Sequence, residues 1–463
     1  YDLFLKMKAP NMLIVTNRPA IANSWYEDYE KFLTTKSGYY FVSEIDSLKD
    51  KKYCYSQDQY EEMVIDMTRG DEIKGQIHFV SLQDLKGSID FGGKFIKNES
   101  IATTEWDLLV IDEAHEGVDT YKTDIAFDKI MRKNTLHLSG TPFKALANDK
   151  FSSSAIYNWT YADEQKAKRE WDNTNIDENP YETLPQLNLY TYPMSEIIKD
   201  QMNPGVELDG EVEEYAFDLN EFFSTKDTNN GTFIYESAVD KFLDALTTQE
   251  KFPFSTPKLR DELRHTFWLL NRVDSAKALA RKLEKHPVFK EYKVILAAGD
   301  GKLDDQEETK KSYDKVVEAI KHSERTITLS VGQLTTGVTI PEWTAVLMLS
   351  NLKSPALYMQ AAFRAQNPCL FRMNNTSYRK TNAYVFDFDP GRTLKIFEEF
   401  ANDLSQDTSA GRGDSATRKA NVRELLNFFP VYGEDEDGSM IELDAEKVLV
   451  IPRKIYAKEV VAR

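Results

Sequence analysis

Short apolar runs alternate with amphipathic stretches along most of this chain, a rhythm that predicts strands separated by helices. Met12-Leu13-Ile14-Val15, Ile77-His78-Phe79-Val80 and Leu108-Leu109-Val110-Ile111 are nearly continuous in apolar character, as strands buried on both faces are. Thr135-Leu136-His137-Leu138 reads as a further strand. Tyr1 to Met7 reads as the last turns of a helix with no start signal before it, and Ser24 with Glu27 predicts a capping box for a helix through Phe32. A helix is expected from Asp163 to Trp171 and a strand from Leu187 to Tyr192. Residues 194–257, with the turn Asn229-Asn230-Gly231 and several prolines, read as a linker or insertion.

The same rhythm resumes beyond. Strands are expected at Thr266–Leu270, Lys293–Ala297, Ile327–Ser330 and Ala345–Leu349, with an amphipathic helix from Ala276 to Lys285. From about Thr393 the pattern changes to a helix ending near Leu404, a polar stretch, a second helix, an acidic loop at Glu434–Gly438 and a late strand Val448-Leu449-Val450-Ile451. The expected fold class is α/β, with parallel-sheet domains at 1–193 and 258–392 and a mainly helical C-terminal extension over 393–463.

Length supports more than one domain, since 463 residues exceed an ordinary single core. No apolar run approaches the roughly 18 residues of a membrane helix, and no signal-peptide layout opens the chain, so neither insertion nor secretion is indicated. Two cysteines, Cys54 and Cys369, exclude a disulfide framework and a cysteine-rich zinc site and fit a reducing cytoplasm. The six histidines show no H-x-x-x-H spacing. A net charge of −18 argues against a broadly basic surface, yet leaves room for phosphate contacts confined to one groove.

The candidate chemistry centres on Asp112-Glu113-Ala114-His115, where the run Leu108–Ile111 ends. Ligands of open α/β sheets gather beyond the carboxyl ends of the strands. One carboxylate there can hold Mg²⁺ through water while its neighbour polarises an attacking water. An apolar strand ending in solvated acids is common, so the acids alone decide little. The run Thr135–Leu138, however, ends in Ser139-Gly140-Thr141-Pro142, a loop able to sense phosphates. Together these residues resemble motifs II and III of superfamily 2 helicases and translocases.

The resemblance extends over roughly residues 1–392. Thr16-Asn17-Arg18-Pro19 and Ser81-Leu82-Gln83-Asp84 stand where motifs Ia and Ib do, and Asn271-Arg272 where motif IV does. Leu334 to Pro341 matches motif V, and Tyr358 to Pro368 matches motif VI. Ser-Gly-Thr-Pro-Phe and Gln-Ala-Ala-Phe-Arg point to motor subunits of type I and type III restriction enzymes. The resemblance implies two tandem RecA-like domains using ATP and Mg²⁺. Asp112 would help hold the metal and Glu113 activate water. His115, Ser139 and Thr141 would couple the nucleotide to the nucleic-acid groove, and Gly337 would approach the nucleotide. Thr16, Arg18, Ser81, Asn271, Arg272, Thr335 and Thr336 would touch nucleic acid. Gln360 and Arg364 would face the γ-phosphate.

Two departures stand out: Asn367 replaces a second motif VI arginine, and Thr339 replaces a motif V acid. Arg364 is then the single finger, or Arg372 substitutes for the missing one. The loop G-x-x-x-x-G-K-[ST] is not found, because Gly93-Lys94 has Ser88 five residues before it and Gly301-Lys302 has Leu296. It is expected upstream of Tyr1, and further protein is expected beyond Arg463. These 463 residues alone are therefore expected to be inactive. The implied partners are double-stranded DNA and nuclease, methyltransferase or specificity domains or subunits. No P-D…E-x-K nuclease pair is evident within the chain. The competing readings are a non-hydrolysing nucleic-acid-binding scaffold and an RNA helicase. Retained Glu113 and Arg364 favour a motor.

Overall fold

The computed structural model describes residues 1–463 apart from 18–20, 67–72, 113–125, 141–150, 173, 175–177, 195–217, 227–230, 299–304, 336–337, 374–375, 406 and 463. The chain divides into two units, Tyr1–Lys144 and Ala145–Arg463.

The first unit is a six-stranded parallel sheet made of β1 (Asn11–Thr16), β2 (Tyr39–Val42), β3 (Cys54–Tyr55), β4 (Gly75–Ser81), β5 (Trp106–Asp112) and β6 (Arg132–His137). The order is β3-β2-β4-β1-β5-β6. Successive strand residues point to opposite faces, which sorts the apolar runs into two cores. Met12, Ile14, Ile77, Phe79, Leu108 and Val110 pack with Tyr26 and Tyr29 of the helix Ala22–Phe32. Leu13, Val15, Val80, Leu109 and Ile111 pack on the other side with Leu82, Leu85 and Phe127. Gly75 is required where β4 starts, because a Cβ there would lie 1.8 Å from the carbonyl oxygen of Pro10.

The second unit carries an eight-stranded mixed sheet of β7 (Gln186–Thr191), β8 (His265–Leu269), β9 (Lys293–Ala297), β10 (Thr326–Ser330), β11 (Ala345–Met348), β14 (Asn382–Asp387), β15 (Val431–Glu434) and β16 (Met440–Glu442). Its order is β16-β15-β7-β14-β11-β8-β10-β9, with only the β15–β16 pair antiparallel. A separate antiparallel hairpin joins β12 (Leu370–Met373) to β13 (Thr376–Arg379). The helices Pro390–Asp403, Ser415–Leu426 and Ala445–Ala462 form the helical C-terminal region. The α/β class with two sheets and a helical extension is therefore what the chain adopts.

Several local expectations differ from the structure. The strand expected at Leu187–Tyr192 in the first domain is β7, which lies between β14 and β15 in the second sheet, so the unit boundary falls near residue 144 rather than 193. Residues 194–257, expected as linker, include the helices Leu219–Phe222 and Glu236–Thr248. Their Leu219, Phe222, Val239, Phe242 and Leu246 are buried in one core with Trp268, Leu279 and Phe388. The turn and the prolines had masked the helical spacing of Val239, Phe242, Leu243 and Leu246. Val448–Ile451 belongs to the helix Ala445–Ala462, started by Asp444, whose carboxylate accepts the Lys447 amide at 2.8 Å. A four-residue apolar run fits either element. The helix ending at Phe32 begins at Ala22 without a side-chain cap, which leaves Ser24 inside it.

Candidate functional site

In the first unit the candidate residues share one row. Thr16 at the end of β1 is in register with Ser81 on β4 and with Asp112 on β5. The amide of Leu138 donates to the Ile111 carbonyl at 2.9 Å, which extends the β5–β6 pairing and brings Ser139 to the same carboxyl edge. This is the edge at which open parallel sheets collect ligands. Asp112 is part-exposed, and its Oδ2 accepts the indole N–H of Trp25 at 2.7 Å. That contact fixes one carboxylate oxygen and therefore the direction of the group. A single hard carboxylate at such an edge is the donor that Mg²⁺ combines with waters and phosphates, in preference to an all-protein cage, so Asp112 fits that ion.

Thr16 is wholly buried, and Ser81 is buried with its hydroxyl accepting the Asp84 amide at 3.0 Å as the cap of the helix Leu82–Gly87. Their expected nucleic-acid contacts are therefore not offered by exposed side chains. Packing between neighbouring strands takes up one and helix capping the other. Arg18, Glu113, His115 and Thr141 lie outside the described residues.

In the second unit the candidates again follow strand ends. Asn271 and Arg272 come after β8, with Arg272 exposed at the start of the helix Val273–Lys285. The Asn271 Oδ1 is buried with no hydrogen-bond partner among the described residues. Beyond β10, Leu334 adopts a left-handed φ of 61° and the Thr335 hydroxyl donates to the Gly332 carbonyl at 2.6 Å. Thr336 and Gly337 lie outside the described residues. Gln360 is buried on the helix Pro355–Ala362. Arg364 sits one turn later. Its Nε donates to the Gln360 carbonyl at 3.2 Å and its Nη1 to the carbonyl of Val338. Arg364 is thus folded onto the segment that carries Val338. Asn367 donates to the Arg364 carbonyl at 3.2 Å, while Arg372 stands exposed on β12.

Residues 1–144 match the family described as type III restriction enzyme, res subunit. The likeness of the chain is to the superfamily 2 motor cores of restriction enzymes. It is 26% identical, over 94% of its length, to the C-terminal part of a protein named as a type II restriction enzyme and methyltransferase of Mycoplasma pneumoniae. The chain spans 64% of that relative's length. A solved structure of the ATP-dependent type ISP restriction-modification enzyme LlaBIII bound to DNA aligns with 99% of this chain and 30% of its own, with a TM-score of 0.50 and 14% identity. That likeness is one of fold, and it is the RecA-like α/β fold expected from the motifs.

The motif reading missed several residues. Trp25 is one, hidden because its partner is 87 residues away. Lys380 is another. It is buried beside the hairpin, and its ammonium donates to the carbonyls of Pro341 at 2.6 Å, Trp343 at 2.8 Å and Ala365 at 3.0 Å. Pro341 closes motif V and Ala365 lies in motif VI, so one side chain joins the two loops. Burial lowers the Lys380 pKa to about 8, which leaves it charged at neutral pH. A third group is Arg392, buried against Asp387 at 2.6 Å and Asp389 at 3.4 Å, with its Nη1 donating to the Leu352 carbonyl at 3.1 Å. Tyr358 of the helix Pro355–Ala362 is fully buried near Asp387, and burial with that carboxylate pushes its phenol well up. The pattern Asp387-Phe388-Asp389-Pro390 followed by Arg392 carried the only sequence signal for this cluster.

Proposed function

We propose that this chain is the core of an ATP-driven motor that moves along double-stranded DNA within a restriction-modification enzyme. The observation that carries this reading is Asp112, held by Trp25 at the carboxyl edge of a parallel sheet in the segment matched to the res-subunit family.

Asp112 would hold Mg²⁺ through its carboxylate. The bound ion would neutralise charge on the β- and γ-phosphates. Glu113, the next residue, would orient the attacking water and take its proton. Ser139, with His115 and Thr141, would register the phosphates from the neighbouring strand. Arg364 would stabilise charge on the phosphoryl group, a task suited to a planar, permanently charged fork. Its bond to Val338 links that role to motif V, where Gly337 would approach the nucleotide. Gln360 would support Arg364 from the preceding turn. Asn271, Arg272, Thr335 and Thr336 would line the nucleic-acid path, with Arg18 on the other unit. Methyltransferase, nuclease or specificity domains would be its partners. No helix among the described residues is long and apolar enough to cross a membrane.

The second reading, a nucleic-acid-binding scaffold without turnover, is favoured only if the natural protein containing these residues also lacks a G-x-x-x-x-G-K-[ST] loop. ATP hydrolysis by the natural protein containing these residues separates the two. Turnover that rises with duplex DNA supports the motor, turnover that rises only with RNA replaces DNA by RNA, and none with either supports the scaffold.

A further inference from the structure

Of the hairpin β12–β13, Arg372 alone has entered the roles above, as the alternative to Arg364. The hairpin register places Leu370 opposite Arg379, Phe371 opposite Tyr378 and Arg372 opposite Ser377. Residues opposite one another, or two apart on a strand, share a face. Leu370, Arg372, Ser377 and Arg379 therefore form one face, and Phe371 with Tyr378 the other. Phe371 stacks on His265 with ring centroids 6.2 Å apart, which seats its face against the unit. Arg372 and every described residue of β13 are exposed. Neither the Arg372 nor the Arg379 guanidinium makes a hydrogen bond or ion pair with a described residue.

The surrounding sequence is unusual in charge. The chain carries 76 acids against 58 lysines and arginines, yet residues 343–386 contain no Asp or Glu and hold Lys353, Arg364, Arg372, Arg379 and Lys380. The root of the hairpin is also fixed. The Lys380 amide donates to the Cys369 carbonyl at 2.9 Å, continuing the ladder, while its side chain grips the carbonyls of Pro341, Trp343 and Ala365.

We propose that the hairpin of Leu370–Met373 and Thr376–Arg379 is a nucleic-acid contact, with Arg372 and Arg379 each taking a backbone phosphate of duplex DNA. This rests on the DNA-motor reading and adds a site to it. A guanidinium fork matches phosphate oxygens two at a time. Residues 343–386 themselves contribute no carboxylate to oppose a polyanion, although Glu342 faces Lys380 at the root of the hairpin. Because Lys380 joins the root of the hairpin to the motif V and motif VI segments, displacement of either segment is passed to the phosphate contacts.

The test is binding of a fluorescein-labelled DNA duplex to the natural protein containing these residues across a salt series, read by anisotropy. Arg372→Ala with Arg379→Ala should weaken binding about tenfold at low salt and make the slope of log affinity against log salt shallower by roughly 1.8, the value for two lost phosphate contacts. Arg372→Lys with Arg379→Lys keeps both charges and should keep most of the slope. Wild-type affinity and slope in the double alanine variant would overturn the hairpin while leaving the DNA reading in place. A wild-type chain that binds no duplex would overturn both.

Discussion

The indole of Trp25 donates to Asp112 Oδ2 at 2.7 Å, tying the helix Ala22–Phe32 to the acid that ends β5. A hydrogen bond to an ionised group contributes about 1.5 kcal/mol or more. Here it also points the carboxylate. Trp25→Phe keeps the ring packing with Tyr1, whose centroid lies 5.5 Å away, and removes only the donor. The expected result is a loss of about 1.5 kcal/mol in urea unfolding of the first unit. In the natural protein, Mg²⁺ should be needed at several-fold higher concentration for turnover. An unchanged Mg²⁺ requirement would mean that Asp112 does not face the metal.

Lys380 makes a different prediction, on order rather than chemistry. Lys380→Met fills the space but leaves three carbonyls without their donor, at an expected cost of about 3 kcal/mol. Amide exchange should quicken in the β12–β13 hairpin and around Ala365, while the first unit keeps its protection. Equal protection in both proteins would show that the three hydrogen bonds do not hold these loops together.

Two buried histidines contribute to the response to acid. Burial lowers His78 in the first unit and His265 in the second to about 4, from an ordinary value of 6.5. Both are neutral in the fold and take up a proton more readily when unfolded. Their contribution to stability is therefore full above pH 6.5 and is lost as pH falls toward 4, on the order of 3 kcal/mol for each histidine. His78→Phe preserves an aromatic edge against Trp106, 5.8 Å from it in the native pair, and should flatten the pH dependence of urea unfolding in the first unit. The same slope in the variant would assign acid sensitivity to other groups.

Four strands of the first sheet were legible, and Met12–Val15 and Leu108–Ile111 show why: both are buried on both faces, and continuous apolar character is the mark of such strands, whereas the short β2 and β3 were missed. The second half was less so. β14 has polar and aromatic positions that break its apolar run, and β7 reaches its sheet by pairing with β14, almost 200 positions later, and with β15 beyond it. Periodicity carries no information on that partner. Among the candidate residues, Asp112 was expected because it ends an apolar strand, and Arg364 because of its place in the order of motifs after a helix. Trp25 and Lys380 were not, since each acts through a contact with a residue or carbonyl distant in sequence. Capping at Ser81 and burial of Thr16 are likewise properties of the folded edge, invisible in the motif.

The motor reading stands or falls on Glu113, beside the placed Asp112. The decisive measurement is steady-state ATP hydrolysis by the natural protein containing these residues, with saturating duplex DNA, before and after Glu113→Gln. The substitution preserves shape and hydrogen bonding but removes the base. Turnover is expected to fall on the order of 10²-fold or more, with ATP and DNA binding retained. Normal hydrolysis by the Glu113→Gln protein would contradict the assignment of this edge as an ATPase site.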